Sequence, residues 1–434
     1  MLFTSGIFWV FYAVVLILLQ SNKVWMKSLK FQNTLLLTAS YFFYGYWDWR
    51  FLGLIVFVSS QTFLASHLIR QFQYYKKEIL FFSLTLNLFV LGYFKYANFF
   101  VSEFLSAFDL LNNFNLERII LPVGISFYIF QSFTYVLDVY FRKIEPEKSP
   151  VNYFTFIAFF PQLVAGPIER ASSLLPQFSA LKGIDRKSLG DGIKICIIGL
   201  FLKIFIADNI AGGVDHIFEN YQDYNGGTLL LGALGFTIQI YGDFCGYSLI
   251  AVGVAKIMGF ELMRNFDTPY LSTSIQDFWR RWHISLSTFF RDYVYIPLGG
   301  SRVHESKVKR NLIITFMVSG VWHGANWTFM FWGVIHGILL VSQRTMNLKV
   351  KNFLGWLITM TMVVILWILF RSESITDFYL YTSQIIFNPG MPETRRAIAV
   401  LFIYSFLLDF LLFRYKESGL TWYGSEFLEA FSLA

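Results

Sequence analysis

Long apolar runs separated by short charged loops constrain this sequence more than any other feature. A helix needs about 20 apolar residues to cross a hydrocarbon core about 30 Å thick. Only 15% of the 434 residues are charged and the mean hydropathy is +0.52, whereas a typical soluble domain has about 25% charged residues. The sequence therefore predicts an all-α, multi-pass membrane protein with about eleven transmembrane helices. The predicted spans lie near 2–20, 31–46, 51–69, 79–100, 119–140, 189–211, 227–258, 310–323, 327–343, 353–370 and 397–413.

Two further apolar runs are short or broken. Residues 152–166 contain Pro161 and run into Gly166-Pro167, and 376–388 is too short to span. We expect both to form re-entrant or interfacial helices, because irregular backbone at membrane depth persists only when it is buried in protein or lines a wet cavity. The first run has no basic residues before it and no small-residue cleavage site, so we expect it to remain as a span.

The chain shows no internal repeat and no linker rich in Pro, Gly or Ser. We therefore predict a single membrane domain over 1–434, with the motif-bearing core at about 122–343. The largest segment between the predicted spans is 259–309, and it also holds the densest cluster of residues capable of chemistry.

Basic residues in the loops predict the orientation, because cytoplasmic loops carry an excess of Lys and Arg. One set of loops is basic: Lys23, Lys27, Lys30; Arg70, Lys76, Lys77; Arg142, Lys143, Lys148; Arg170, Lys182, Arg186, Lys187; Arg344, Lys349, Lys351. The alternate loops are acidic: Glu103, Asp109, Glu117; Asp215, Glu219, Asp223. We predict an outer N-terminus, a cytoplasmic C-terminus and a 152–166 segment that does not cross.

The sequence gives no support to several function classes. Two cysteines, Cys196 and Cys245, lie inside apolar runs and exclude a disulfide scaffold or a cysteine-rich zinc site. The net charge of +7 comes from short loops between apolar runs, which is typical of membrane orientation and not of nucleic-acid binding. Metalloprotease, α/β-hydrolase and P-loop motifs are absent from the sequence. No metal ion and no bound cofactor are predicted.

The segment DFWRRWH at 277–283 places two tryptophans, two arginines and a histidine within five positions. One interpretation is an interfacial helix with tryptophans at headgroup depth and arginines on lipid phosphates. The other is the mouth of a tunnel, where cations hold an anionic acyl donor. The residues concerned are Trp279, Arg280, Arg281, Trp282 and His283.

The segment WHGANW at 322–327 lies between two apolar runs. An ionisable residue at membrane depth indicates a functional site by default, and His323 can act as a general base because imidazole titrates near neutral pH. A histidine hydrogen-bonded in the core is the alternative. Gly320 and Gly324 let another backbone or a substrate approach His323 closely.

Other polar residues in or near the apolar runs carry weaker signals. His336 is more typical of a structural histidine, and His67, His216 and His304 are typical of solvated or packed ones. Asp243, within QIYGDFCGYS at 239–248, can orient another group or serve as a hydrogen-bonded structural acid.

Four motifs together resemble the membrane-bound O-acyltransferase family. They are FPQLVAGPI at 160–168, DFWRRWH at 277–283, RDYVYIPLGGSR at 291–302 and WHGANW at 322–327. The likeness extends roughly from Pro122 to His336. It is strongest to the bacterial branch that includes the alginate O-acetylation membrane subunit, more than to the D-alanyl transfer type.

The resemblance implies a fold and a set of roles. The fold is a ring of tilted helices around a tunnel, with the donor entering from the cytoplasm. His323 matches the presumed catalytic histidine of the family, and His283 matches its second histidine. We assign donor or substrate contacts to eight further residues: Trp279, Arg280, Arg281, Trp282, Arg291, Trp322, Asn326 and Asp243.

The resemblance also implies transfer of an acyl group, most simply acetyl, in a bacterial inner membrane. The donor is expected to be acetyl-CoA or an acyl carrier thioester. The acceptor is expected to be a hydroxyl of an extracytoplasmic polysaccharide or of a partner acyltransferase. Two alternatives remain open: peptidoglycan or teichoic acid as the acceptor, and a transporter or flippase with an intramembrane path of His and Asp. The transporter would require inverted repeats, which the sequence does not show.

Overall fold

A computed structural model describes residues 1–107, 119–164, 166–346 and 352–393. All regular secondary structure in these ranges is helical. Six segments there are long and apolar enough to cross a membrane: Gly6–Met26, Leu29–Gln71, Lys76–Glu103, Arg186–Glu219, Gly226–Ile257 and Phe353–Arg371. The second of these contains two helices joined by a short 3₁₀ turn.

The sixteen α-helices of the described residues are α1 (Gly6–Ser21), α2 (Leu29–Asp48), α3 (Leu52–Gln71), α4 (Lys76–Ala107), α5 (Ile125–Tyr140), α6 (Pro150–Ala158), α7 (Ala171–Leu174), α8 (Arg186–Leu200), α9 (Asn209–Glu219), α10 (Gly226–Ile257), α11 (Ile275–Arg281), α12 (Ile284–Phe290), α13 (Glu305–His323), α14 (Trp327–Met346), α15 (Asn352–Arg371) and α16 (Ile375–Phe387). Short π-helical turns occur at Asn22–Met26, Phe201–Asp208 and Arg291–Tyr295.

Serine hydroxyls begin several of these helices by accepting a hydrogen bond from a backbone N–H in the first turn. Ser28 accepts from Phe31 at 3.2 Å, Ser274 from Asp277 at 3.1 Å and Ser374 from Asp377 at 3.0 Å. Each of these serines directly precedes the helix it caps.

The count of about eleven spans is not confirmed. Predicted spans 119–140, 310–323 and 327–343 correspond to α5, α13 and α14, none of which is among the six apolar segments. Helix α5 has only 16 residues. The first turns of α13 are strongly charged, and α14 includes buried His336 and polar residues at its end. Predicted span 397–413 lies outside the described residues.

The two short runs form short helices, and their re-entrant or interfacial placement stays a prediction. Helix α6 has nine residues, a rise of about 14 Å, which is too short to cross a bilayer. Helix α16 has 13 residues.

The described chain forms two compact units. The first comprises Met1–Ile197 and Ser248–Met263, and the second comprises Ile198–Tyr247 and the described residues from Arg264 onward. The single domain over 1–434 stays a prediction.

In the first unit, aromatic rings and buried polar side chains hold α6 and the backbone that follows it. Phe160 packs against Phe43, with ring centroids 5.8 Å apart, and its N–H donates to the Ser40 hydroxyl at 3.1 Å. The hydroxyls of Tyr153 and Thr62 lie 2.7 Å apart and bridge α6 to α3. These contacts satisfy polar groups that irregular backbone would otherwise leave unpaired.

In the second unit, α13 and α14 pack backbone to backbone. A Cβ added at Gly320 would collide with the carbonyl oxygen of Phe329, and one at Gly333 with that of Phe316. Glycines at such contacts let two helices approach closely. The close approach that the sequence predicts at Gly320 is therefore made by α14.

Candidate active site

The chain bends between α11 and α12, and this turn carries two of the candidate side chains. Trp282 ends α11 in an extended conformation, and His283 follows with φ +44°. Positive φ is uncommon for a residue other than glycine and often occurs at functional sites. Both side chains consequently point into the second unit, where Trp282 is 3% exposed and His283 1% exposed.

Trp279 of α11 and Trp282 of the turn lie in an aromatic core. Trp282 packs against Phe266 and Trp367, each with ring centroids 5.0 Å away. Trp279 is buried and donates its indole N–H to Nδ1 of His336 at 3.2 Å. Because both indoles are buried, they do not face the surface as interfacial anchors would.

His283 is held on one side by a neighbouring asparagine and covered on the other by aromatic rings. Its Nδ1 lies 3.0 Å from Oδ1 of Asn265, and its ring meets the ring of Phe244 edge-on at 4.6 Å. Its Nε2 is buried and makes no hydrogen bond to any residue that the structure describes. Burial lowers the pKa of His283 well below its usual range, and the nearby His323 imidazole lowers it further. His283 is therefore a neutral imidazole near neutral pH.

His323 is the last residue of α13 and is half-buried. Its ring meets those of Trp322, Trp332 and Phe370 at centroid distances of 4.9, 5.1 and 5.2 Å. It interacts electrostatically with both His283 and His336. The second unit therefore brings the two family histidines and His336 into one aromatic cluster.

A cavity of about 870 Å³ lies next to this cluster within the second unit. Three arginines line it, Arg280, Arg291 and Arg344, together with the indole of Trp279. Hereafter this space is called the arginine cavity. Its volume falls in the range of about 300–1,000 Å³ that is typical of small-molecule sites. The arrangement is suited to binding an anionic ligand with an apolar part.

The arginines differ in how much of their charge is already neutralised. Arg344 forms a bidentate pair with Glu305 at 2.7 and 3.0 Å, and Arg291 pairs with Asp292 at 2.7 Å. Arg280 has no carboxylate partner among the residues that the structure describes. Its positive charge is therefore the most available for a ligand in the arginine cavity.

Arg281 points elsewhere. Its Nε lies 3.0 Å from both carboxylate oxygens of Asp277, four residues earlier on α11, and an NH group lies 3.4 Å from the Thr268 hydroxyl. It does not line the arginine cavity. The structure thus brings Arg280 and Arg291 to one cavity and engages Arg281 in an ion pair.

Helix α13 connects the arginine cavity with His323. Leu312, Thr315, Phe316 and Ser319 line the cavity. Positions three or four residues apart share one helix face, so His323, four residues after Ser319, continues this face one turn farther. Trp322, beside it, has its ring centroid 6.1 Å from that of His283.

The two remaining candidates have local partners. Asn326 donates its amide to the carbonyl of Glu373 at 2.7 Å and accepts from the N–H of Thr328 at 3.0 Å. Asp243 lies 2.5 Å from the ammonium of Lys203, which also contacts Asp208 at 2.5 Å. Neither residue lines the arginine cavity.

Sequence reasoning missed Asn265 and Arg344. Asn265 lies in an irregular segment with no motif around it, and its contact with His283 spans 18 residues. Arg344 was counted only as a basic loop residue, although it lies at the end of α14 and lines the cavity.

Comparisons with known proteins agree with the motifs. Residues 42–380 match the membrane-bound O-acyltransferase family, MBOAT. A probable alginate O-acetylase of Pseudomonas aeruginosa is 40% identical over 390 residues, which cover 86% of this chain and 73% of that protein. A peptidoglycan O-acetyltransferase of Helicobacter pylori is 36% identical over 388 residues, 81% of this chain and 73% of that protein.

A teichoic acid D-alanyltransferase of Bacillus subtilis is more distant, at 28% identity over 275 residues, 60% of this chain and 69% of that protein. The chain belongs to the membrane-bound O-acyltransferase family and is an O-acyltransferase in a membrane. The resemblance that the four motifs indicate is therefore confirmed.

Proposed function

We propose that the protein transfers an acetyl group from a cytoplasmic thioester donor to a hydroxyl of an extracytoplasmic polysaccharide or of a partner protein. The observation that carries this proposal is the arginine cavity, whose α13 wall leads to His323. The relatives support acetyl as the acyl group, because those at 36–40% identity include a probable alginate O-acetylase and a peptidoglycan O-acetyltransferase.

The donor is proposed to be acetyl-CoA or an acetylated carrier protein. Both carry a phosphopantetheine arm that ends in the thioester. Arginine binds phosphate through charge-assisted hydrogen bonds, and Arg280, Arg291 and Arg344 are the cavity's three arginines. The apolar side chains of the cavity suit the arm and the acyl group.

The chemical step is the transfer of the acyl group from the sulfur of the donor to the oxygen of the acceptor. His323 takes the proton of the acceptor hydroxyl as the hydroxyl oxygen attacks the thioester carbonyl. A carbon–oxygen bond forms, and the carbon–sulfur bond of the thioester breaks. The leaving thiolate then takes up a proton. General-base catalysis of this kind contributes typically about 10²–10⁴-fold. His323 suits the role because it is ionisable and half-buried at the end of the cavity face.

The remaining site residues are proposed to shape the donor side. Trp279 lines the cavity and, like Trp282, packs against Phe278. His283 packs against Trp322. Arg281 as a donor ligand, Asn326 as an oxyanion ligand and Asp243 as an orienting acid stay predictions.

The membrane arrangement is proposed to have about eleven spans in a bacterial inner membrane, with the N-terminus outside and the C-terminus inside. Support comes from the alternation of basic and acidic loops along the sequence. The proposed acceptor is a polysaccharide, reached through a separate extracytoplasmic acyltransferase. A peptidoglycan or a teichoic acid is the second candidate, because relatives with those names match as well.

The experiment is transfer of radiolabelled acetyl from two donors, acetyl-CoA and an acetylated acyl carrier protein, by purified protein in nanodiscs. Alginate, peptidoglycan fragments and teichoic acid are offered as acceptors in parallel. His323→Gln, matched for yield and monodispersity, is the control. We expect acid-stable label on one polymer from wild-type protein only. If neither donor labels a polymer or a co-purified partner protein, the proposal is wrong.

A further inference from the structure

Asn265 holds a buried hydrogen-bond network at the turn before α12. Its Oδ1 accepts from the backbone N–H of Ser285 at 3.3 Å and from the Ser285 hydroxyl at 2.8 Å, and it lies 3.0 Å from Nδ1 of His283. The Asn265 carbonyl also accepts from the N–H of Ile284 at 2.8 Å. Asn265 is 2% exposed, so water does not compete for these contacts.

This network fixes the tautomer of His283. A backbone N–H only donates, so the side-chain atom of Asn265 that faces the Ser285 N–H has to be the oxygen. An amide oxygen only accepts, so Nδ1 of His283, 3.0 Å from it, carries the hydrogen. The Ser285 hydroxyl, 3.4 Å from the same nitrogen, has its own hydrogen directed at Asn265. In neutral His283, Nε2 is therefore the acceptor nitrogen.

That acceptor is buried without a partner. Nε2 of His283 makes no hydrogen bond in the described part of the chain. Buried polar atoms are normally satisfied, and one that is not calls for an explanation such as a ligand. His283 is not itself among the residues that line the arginine cavity, but Ile284, which directly follows it, is, so the buried ring lies one residue from the cavity wall.

We propose that Asn265 is a positioning residue that holds His283 with Nε2 as an acceptor for an N–H of the thioester donor. This inference rests on the proposed function. The amide nearest the sulfur of phosphopantetheine supplies such an N–H, and both donor types carry it. His323 then remains the base, and His283 fixes the thioester next to it.

The tautomer is read directly from ¹⁵N-histidine spectra of the protein in nanodiscs. The chain has six histidines, and the signals lost in His283→Gln identify His283. We expect a protonated Nδ1 and an unprotonated Nε2 in wild-type protein, and a mixture of tautomers in Asn265→Leu, which keeps the side-chain shape without the oxygen. A protonated Nε2 in wild-type protein, or an unchanged tautomer in Asn265→Leu, would overturn the inference.

Donor kinetics separate positioning from folding. We expect Asn265→Leu to raise the KM for the donor about tenfold, the equivalent of one hydrogen bond, and Asn265→Asp to keep a near-normal KM. Asn225→Leu is the matched control. Asn225 accepts from Thr228 N–H at 3.0 Å at the start of α10, so its loss lowers stability without changing donor KM. If Asn265→Leu loses as much stability as Asn225→Leu and its donor KM is unchanged, Asn265 has only a structural role and the inference is wrong.

A donor analogue tests the ligand group itself. An analogue with an ester in place of the amide nearest the sulfur lacks the N–H. We expect its KM to be about tenfold higher with wild-type protein, and no further increase with Asn265→Leu. Independent, additive effects would overturn the assignment of this N–H. If the wild-type protein transfers no acyl group, the proposed function fails, while the histidine spectra still decide the tautomer.

Discussion

The two histidines of the proposed site differ in their access to water. His283 is 1% exposed and locked by Asn265, whereas His323 is half-buried at a helix end among Trp322, Trp332 and Phe370. A base has to exchange its proton with its surroundings in every turnover. His323 suits that task, and His283 suits a fixed role as a hydrogen-bond acceptor.

His323→Gln is expected to lower turnover by roughly 10²–10⁴-fold, because glutamine keeps a polar group of similar reach and cannot take a proton at neutral pH. The measurement is acyl transfer at matched protein levels, with monodispersity as the folding check. His336→Ala is the control: it removes the acceptor of the Trp279 indole N–H and is expected to act through stability. A folded His323→Gln protein with near-normal turnover would move the base to His283.

Glu169 gives a pH-dependent prediction in the first unit. It is 1% exposed, and one carboxylate oxygen accepts from the N–H of Met263, while the other has no hydrogen-bond partner within the described ranges of the chain. Burial raises the pKa of Glu169 to about 7 from 4.5, and the Met263 hydrogen bond partly opposes this. Since the folded pKa is raised, the contribution of Glu169 to the stability of the unit is fully present below about pH 4.5 and is lost as pH rises through about 7.

Glu169→Gln removes this charge and keeps an acceptor for Met263. We expect the two proteins to have similar thermal stability at pH 5, and the variant to be more stable at pH 8, by up to about 3 kcal/mol. Thermal unfolding followed by tryptophan fluorescence across this pH range checks it. A stability difference that does not change with pH would mean that Glu169 does not titrate in the folded protein.

At the scale of elements, the sequence predicts that α11 is functional, and the structure shows why the details escaped it. Adjacent residues point about 100° apart on a helix, so Arg280 lines the arginine cavity while Arg281 pairs with Asp277. The sequence motif predicts the same donor-side role for both arginines. It also had no way to pair Asn265 with His283, since that contact depends on an irregular segment and on a histidine at φ +44°.

Arg280→Ala is therefore expected to raise the donor KM about 10–100-fold, the range for a hydrogen bond to a charged group. The rise is expected to shrink at high salt, because screening already weakens the wild-type contact. Arg281→Ala is the comparison that tests the sequence-based prediction for Arg281: because its guanidinium pairs with Asp277 and does not line the arginine cavity, we expect a loss of thermal stability and a much smaller rise in donor KM than in Arg280→Ala. Equal effects of both substitutions on KM would contradict the assignment of Arg280.

At the scale of the whole molecule, apolar runs predict where helices occur. They predict less well which of these helices are apolar enough to be counted as membrane spans. The predicted span 353–370, for example, corresponds closely to helix α15 (Asn352–Arg371). Helices α13 and α14 meet through Gly320 and Gly333 and carry His323 and His336. Elements that build a site need polar residues, which lower their hydropathy and hide them from a count based on apolar length.

The orientation is the last prediction. Single cysteines at Ser306, in the first turn of α13, and at Asp223, in the acidic loop before α10, are introduced into a Cys196→Ala, Cys245→Ala background. Both native cysteines are buried, and Ser306 and Asp223 are exposed. In intact cells an impermeant maleimide is expected to label the cysteine at 223 and to label the one at 306 only after permeabilisation. Ser306 directly follows Glu305, which pairs with Arg344 of the arginine cavity. Labelling at 306 from outside would therefore place the arginine cavity on the outer side and refute a cytoplasmic donor. A matching cysteine at Ser418 tests the C-terminus, which lies outside the described residues.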